Sequence, residues 1–171
     1  MYWKSKINLD ENELYLLNEF ANKHVGTSEF EVPNALTQFP SVLDKINKKI
    51  NEYLPEDYDK YLAQSWSICL TKDMFIQPNP HNHGYSHFSF VFYTMSEGLD
   101  PLIIRDVNNI QWEITVKTND FLIIPNYIIH FIKPGDAAKE HRISFAGDLI
   151  LTETEYKSSM FLTPISNWYK L

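Results

Sequence analysis

A chain of 171 residues, 44% hydrophobic and 15% aromatic, holds enough apolar material for one packed core and is too short for several large ones. Its formal net charge of -7 leaves no broad positive footprint, so neither bulk nucleic acid nor an anionic membrane is expected as a partner. The single cysteine, Cys69, excludes an internal disulfide. With no apolar leader after Met1 and no run long enough to span a bilayer, the expected compartment is the cytoplasm.

Taken in order, residues 10 to 24 predict a helix. Asp10 is its N-cap and Glu13 completes a capping box, while Leu14, Leu17 and Phe20 or Ala21 recur at helical spacing. Residues 25 to 40 are broken by Gly26, Pro33 and Pro40 and read as loop. Ser41 opens a second helix with Val42, Ile46, Ile50 and Leu54 on one stripe, and Pro55 ends it. Both helices read as cover for a hydrophobic sheet.

Beyond Pro55 the pattern turns to short strands. Gln64–Leu70, Phe75–Gln77, Ser86–Thr94, Pro101–Arg105, Trp112–Lys117, Phe121–Pro125, Ile128–Ile132 and Arg142–Leu151 are rich in β-branched and aromatic residues. Pro78-Asn79-Pro80, Asn119-Asp120 and Pro134-Gly135-Asp136 are turns, and Tyr156 to Leu171 reads as an irregular tail. The class is mainly β with supporting N-terminal helices, as a sandwich or small barrel. One domain spans 1–171: helical support over 1–60, a β core over 64–151 and a tail over 152–171.

Three of the six histidines, His81, His83 and His87, fall within seven residues at the mouth of the most aromatic strand. An extended chain puts residues i and i+2 on one face, so His81 and His83 can enter one site. His87 shares their parity and is the alternative member. His130 lies between Ile128, Ile129, Phe131 and Ile132, where an imidazole is either a satisfied core group or a ligand. With a His-x-His pair in the same sheet the ligand reading is favoured, and three imidazoles with open positions suit a catalytic iron, zinc, copper or nickel. Arg142, Ser144 and Ala146 share one face of the last long strand, with Ile143 and Phe145 on the other. If the first face lines a cavity, Arg142 and Ser144 form a carboxylate-binding pair. Tyr93, Trp66 and Trp112 read as core, His141 as surface, and His24 as the end of the first helix.

These blocks, in this order, resemble the Fe(II)/2-oxoglutarate-dependent oxygenases. Within them the chain resembles a small bacterial and phage family with His-x-His in place of His-x-Asp. The matching residues are His81-Asn82-His83 with Ser89-Phe90-Val91-Phe92-Tyr93, then Asn119-Asp120-Phe121-Leu122-Ile123-Ile124-Pro125, His130, Pro134 and Arg142-Ile143-Ser144. The resemblance covers roughly residues 64 to 148. It implies a double-stranded β-helix, a jelly-roll or cupin-like barrel. It also implies iron held by His81, His83 and His130, and 2-oxoglutarate held by Arg142 and Ser144 with Tyr93 in reach. The implied reaction is hydroxylation of a small-molecule or peptide substrate, in the host cytoplasm if the chain is phage-encoded. Because residue 83 is histidine where the wider superfamily has a carboxylate, the ligand set is neutral and zinc or nickel is expected to substitute readily. Gly84 and Phe90 depart from the proline and glycine of the family, and Phe90 either narrows the pocket or packs on the outer sheet. The alternative is a cupin-like three-histidine metalloprotein that uses no 2-oxoglutarate, as an enzyme or a metal-dependent binding module. The aromatic tail of Phe161, Trp168 and Tyr169 packs on its own barrel or on a second copy, so a homodimer is also an expectation.

Overall fold

Strand pairing in the computed structural model brings distant parts of the chain together, and the described residues are 2–24, 34–54, 58–75, 79–133, 137–152 and 168–171. The elements in order are β1 (Trp3–Lys6), α1 (Glu11–Lys23), a 3-10 turn (Ala35–Gln38) and α2 (Pro40–Asn51). There follow β2 (Asp59–Leu70), β3 (Phe88–Met95), β4 (Leu102–Arg105), β5 (Gln111–Ile114), β6 (Asp120–Pro125), β7 (Ile129–Ile132), β8 (Arg142–Thr152) and β9 (Tyr169–Lys170). One sheet has the order β1-β6-β3-β8-β2-β9 and the other β5-β4-β7. An isolated bridge between His81 and His130 adds a stub of chain beside β7. Every strand pair is antiparallel. Two such sheets, wound through alternating strands, form a double-stranded β-helix.

The strand alternation divides the core in two. On the large sheet Phe90, Phe92, Phe121, Ile123, Ile143, Phe145 and Leu149 face outward and pack beneath Leu17 and Ala21 of α1 and Val42, Ile46 and Ile50 of α2. The opposite face carries Tyr93, Leu122 and Ile124, which meet Leu102, Ile104, Ile114 and Val116 of the small sheet. The helices therefore cover one face, as their stripes predict. α1 starts with the capping box at Asp10 and Glu13, whose carboxylate also accepts from Lys45 Nζ of α2 at 2.5 Å.

Four expectations change. The loop reading of Pro40 gives way to the first residue of α2, where a missing N–H costs nothing. β2 begins at Asp59, and a register shift between Leu62 and Gln64 absorbs Ala63. Trp3–Lys6 pairs with β6 as an edge strand that its short sequence did not signal. The end of the tail returns as β9 against Tyr61 and Leu62, with the Trp168 ring 6.0 Å from that of Tyr61. The readings of Gly26, Pro33, Pro55, Ile76, Gln77, Pro78, the 134–136 turn and Phe161 lie outside the described residues.

Candidate metal centre

The three expected histidines converge. One ring nitrogen from each of His81, His83 and His130 lies within 4.8 Å of the others. Two local devices achieve this. His81 and His130 exchange backbone hydrogen bonds of 3.3 and 2.9 Å, which holds the stub against β7. Past Asn82 the His83 N–H donates to the Asn126 carbonyl, and Ser86 closes a turn on the His83 carbonyl through both its N–H and its hydroxyl. The His83 and His130 rings stack at 5.1 Å, and the His81 centroid is 4.5 Å from that of His130.

The donor set fits a metal ion. His81 Nδ1 is 2.7 Å from the Asn79 carbonyl, an acceptor only, so Nδ1 carries the proton and the Nε2 lone pair is free. His83 Nδ1 is 2.8 Å from Asp148 Oδ1, which imposes the same tautomer. His130 has its pKa pushed down to about 3, first by burial and then by the neighbouring His83 and His81, so its imidazole is neutral and could serve as a ligand. Its Nδ1 is buried without a well-formed hydrogen bond, the Ile128 backbone giving only weak support.

Arg142 and Ser144 open into the same cavity, of about 540 Å³, together with the histidines, Trp66, Ser89 and Tyr93. Arg142 is 3% exposed. Its Nη1 donates to the Asp100 carbonyl at 2.5 Å and its Nη2 to Tyr93 Oη at 3.2 Å, with the guanidinium 4.8 Å from the Tyr93 ring centroid. Among the described residues no carboxylate pairs with it. Burial raises the Tyr93 pKa, against a smaller opposing effect of Arg142, so its hydroxyl keeps a proton to donate. A buried guanidinium with spare donors and no anionic partner among the described residues has the chemistry to receive a carboxylate.

Some residues fall elsewhere than expected. Trp112 is exposed on β5. Trp66 is buried as expected, and its ring also stacks on His83 at 5.7 Å and 13°, so it forms a wall of the site. His87 does not join the triad, since its Nδ1 accepts from the Leu151 N–H at 3.1 Å. His141 is exposed as expected, its Nε2 3.5 Å from Cys69 Sγ. His24 is the C-cap of α1, with Nδ1 2.7 Å from the Phe20 carbonyl. The Phe90 side chain packs in the outer core.

Three more residues stand next to the triad: Asp148 and Gln64, to which the sequence reading gives no site role, and Ser89, which it gives only as part of the matching motif. Asp148 continues the Arg142, Ser144, Ala146 face of β8, and that parity alone would have found it. Gln64 and Ser89 stand directly opposite it on β2 and β3. The Gln64 position depends on the register shift at Ala63, which has no sequence mark.

No protein-family model and no curated protein matches the chain, but solved structures do. The non-heme alpha ketoglutarate dependent epimerase SnoN from nogalamycin biosynthesis superposes with a TM-score of 0.65 at 10% identity, over 87% of this chain and 77% of its own. A Pseudomonas putida prolyl-4-hydroxylase gives 0.60 at 12% identity, over 86% and 85%. HygX from Streptomyces hygroscopicus, solved with nickel and 2-oxoglutarate bound, gives 0.61 at 10% identity, over 91% and 84%. These likenesses, reached with scarcely any shared sequence, establish that the chain has the double-stranded β-helix fold of these proteins.

Proposed function

We propose that the protein is an Fe(II)- and 2-oxoglutarate-dependent oxygenase that hydroxylates a small-molecule or peptide substrate. The observation that carries this reading is Arg142, buried without an anionic partner in the same cavity as three convergent imidazoles. His81, His83 and His130 would hold the metal, and Arg142 with Ser144 would hold the distal carboxylate of 2-oxoglutarate. The similarity to enzymes crystallised with alpha ketoglutarate or 2-oxoglutarate supports it. When bound, iron supplies the activation of dioxygen that couples decarboxylation of 2-oxoglutarate to substrate oxidation. In the balance, one substrate C–H, dioxygen and 2-oxoglutarate give one C–OH, succinate and carbon dioxide.

The chain's own residues do the positioning. Asp100 and Tyr93 hold the guanidinium, and the Tyr93 hydroxyl adds a donor beside it. Trp66 stacks on His83, and Phe131, Ile68, Phe75 and Ile132 give the cavity an apolar lining that suits an uncharged group of the substrate. Nickel or zinc is expected to occupy the same imidazoles in isolated protein.

The test is succinate formation from 2-oxoglutarate with Fe(II), with or without added substrates. His130→Ala should abolish it. Arg142→Ala should raise the KM for 2-oxoglutarate by about ten- to a hundredfold, the loss expected for one charge-assisted carboxylate clamp. A three-histidine centre that uses no 2-oxoglutarate would instead ignore the arginine. Metal-loaded protein that neither binds nor turns over 2-oxoglutarate would refute the proposal.

A further inference from the structure

Asp148 is 0% exposed and points toward the histidines from β8. Both of its oxygens are engaged. Oδ1 accepts from Ser89 Oγ at 2.7 Å and lies 2.8 Å from His83 Nδ1, and Oδ2 accepts from Gln64 Nε2 at 2.5 Å. Among the described residues no lysine or arginine pairs with it, so its one basic partner is His83. Burying a carboxylate is costly unless charge and hydrogen bonds compensate it. Two neutral donors from the flanking strands meet part of that cost. The remaining lobe is turned onto one imidazole, and that imidazole has a single direction left, into the cluster.

We propose that Asp148 is the outer-sphere carboxylate of the metal centre. It holds His83 with the proton on Nδ1 and the Nε2 lone pair directed at the ion, and it returns through the ring the negative charge that a three-imidazole set lacks. The inference rests on the metal-centre reading above. It makes Asp148 a positioning residue, since it touches the ligand and not the ion or substrate. A carboxylate hydrogen-bonded to a ligating imidazole raises the basicity of the ring and fixes its orientation. The row Gln64–Asp148–Ser89 lies straight across three paired strands, so the carboxylate is itself held on rigid elements. Tyr85 Oη, 3.3 Å from His83 Nδ1 and 3.2 Å from Gln64 Nε2, closes the same group.

A structural staple between β2, β3 and β8 would use the same hydrogen bonds, and Asp148→Asn separates the two roles because it keeps the shape and removes the charge. Binding of Co(II) and Fe(II) is measured by competition with a chelating dye, with the Fe(III)/Fe(II) potential of the loaded protein. Asp148→Asn should keep the metal-free melting temperature close to wild type, bind metal about ten- to a hundredfold more weakly and show a raised potential. His83→Asp/Asp148→Asn, which moves the charge from partner to ligand, should recover the binding that Asp148→Asn loses. Wild-type affinity and potential in Asp148→Asn would overturn the inference and leave the metal-centre reading intact. Wild-type protein that binds no divalent metal would overturn both. A further measurement needs no variant: long-range proton–nitrogen NMR of the Zn(II)-loaded wild type should show His83 protonated at Nδ1, and protonation at Nε2 would refute the role.

Discussion

The packing around Gly147 shows how closely single residues set the two faces of β8. Gly147 sits between Ala146 and Asp148 on the outer side. A Cβ there would meet Leu62 Cδ1 and Phe90 Cζ at 2.7 Å each, too near for either neighbour to ignore. Phe90 stands where the resembling family has glycine, and here the glycine lies instead on the strand opposite. Gly147→Ala should cost about 1 to 3 kcal/mol by overpacking, read from urea unfolding, and Phe90→Leu in the same chain should recover part of it. Equal stability of Gly147→Ala and wild type would show that Phe90 moves freely. At this scale the site was legible where chemistry and parity agreed. His81, His83, His130, Arg142 and Ser144 announce themselves because polar residues recur at i+2 or break apolar runs. Asp148 passed unread because one acid near the middle of a long strand looks like an exposed position. Trp66 is buried as its core reading expects, and its second role beside His83 is not legible because stacking on an imidazole leaves no trace in periodicity.

Among the elements, β1 depends most visibly on charge. Lys4 and Lys6 reach the buried Asp120 of β6 at 2.9 and 2.7 Å. Burial works to raise the Asp120 pKa, but hydrogen bonds from Lys6, Lys4 and the Lys117 amide outweigh it, so the net shift is downward. A lowered folded pKa means stability that is present above the ordinary carboxylate range and lost as pH falls through the folded value. Asp120→Asn should therefore destabilise the protein by about 1 to 2 kcal/mol at neutral pH, between the exposed and buried ion-pair limits. The gap from wild type should close in acid, and a gap independent of pH would show that packing, not charge, holds β1. Long amphipathic stretches and aromatic strands were readable because burial imposes period 3.6 or 2 on them. Trp3–Lys6 and Tyr169–Lys170 were not, because edge strands of four and two residues bury too little to impose a pattern.

For the whole molecule, the outcome follows from the sheets sharing one buried interior with the histidines at its open end. His130 makes the stability of the fold depend on pH in acid. Its pKa falls from 6.5 to about 3 on folding, chiefly by burial. Between those values the unfolded chain binds more protons than the folded one, so stability is full above about 6.5 and is lost as pH falls toward 3. In the metal-free protein this amounts to about 1.4 kcal/mol for each pH unit inside the window, measurable as a falling melting temperature. His130→Gln should flatten that slope, and an unchanged slope would assign the acid sensitivity to other groups. No helix among the described residues is long and apolar enough to cross a membrane.

The pairing of β2 with β8 sets Asp59 opposite Thr152 and Leu70 opposite Arg142. A ribosome has therefore to deliver most of the chain before the first long strand meets its partner. Until then α1 and α2 cover only the β1-β6-β3 part of the sheet, and β2 has no partner strand. Contacts of such long sequence separation make folding slow and the nascent chain prone to association. Yield in a cell should accordingly respond to temperature and chaperone supply more than the stability of the finished fold would suggest.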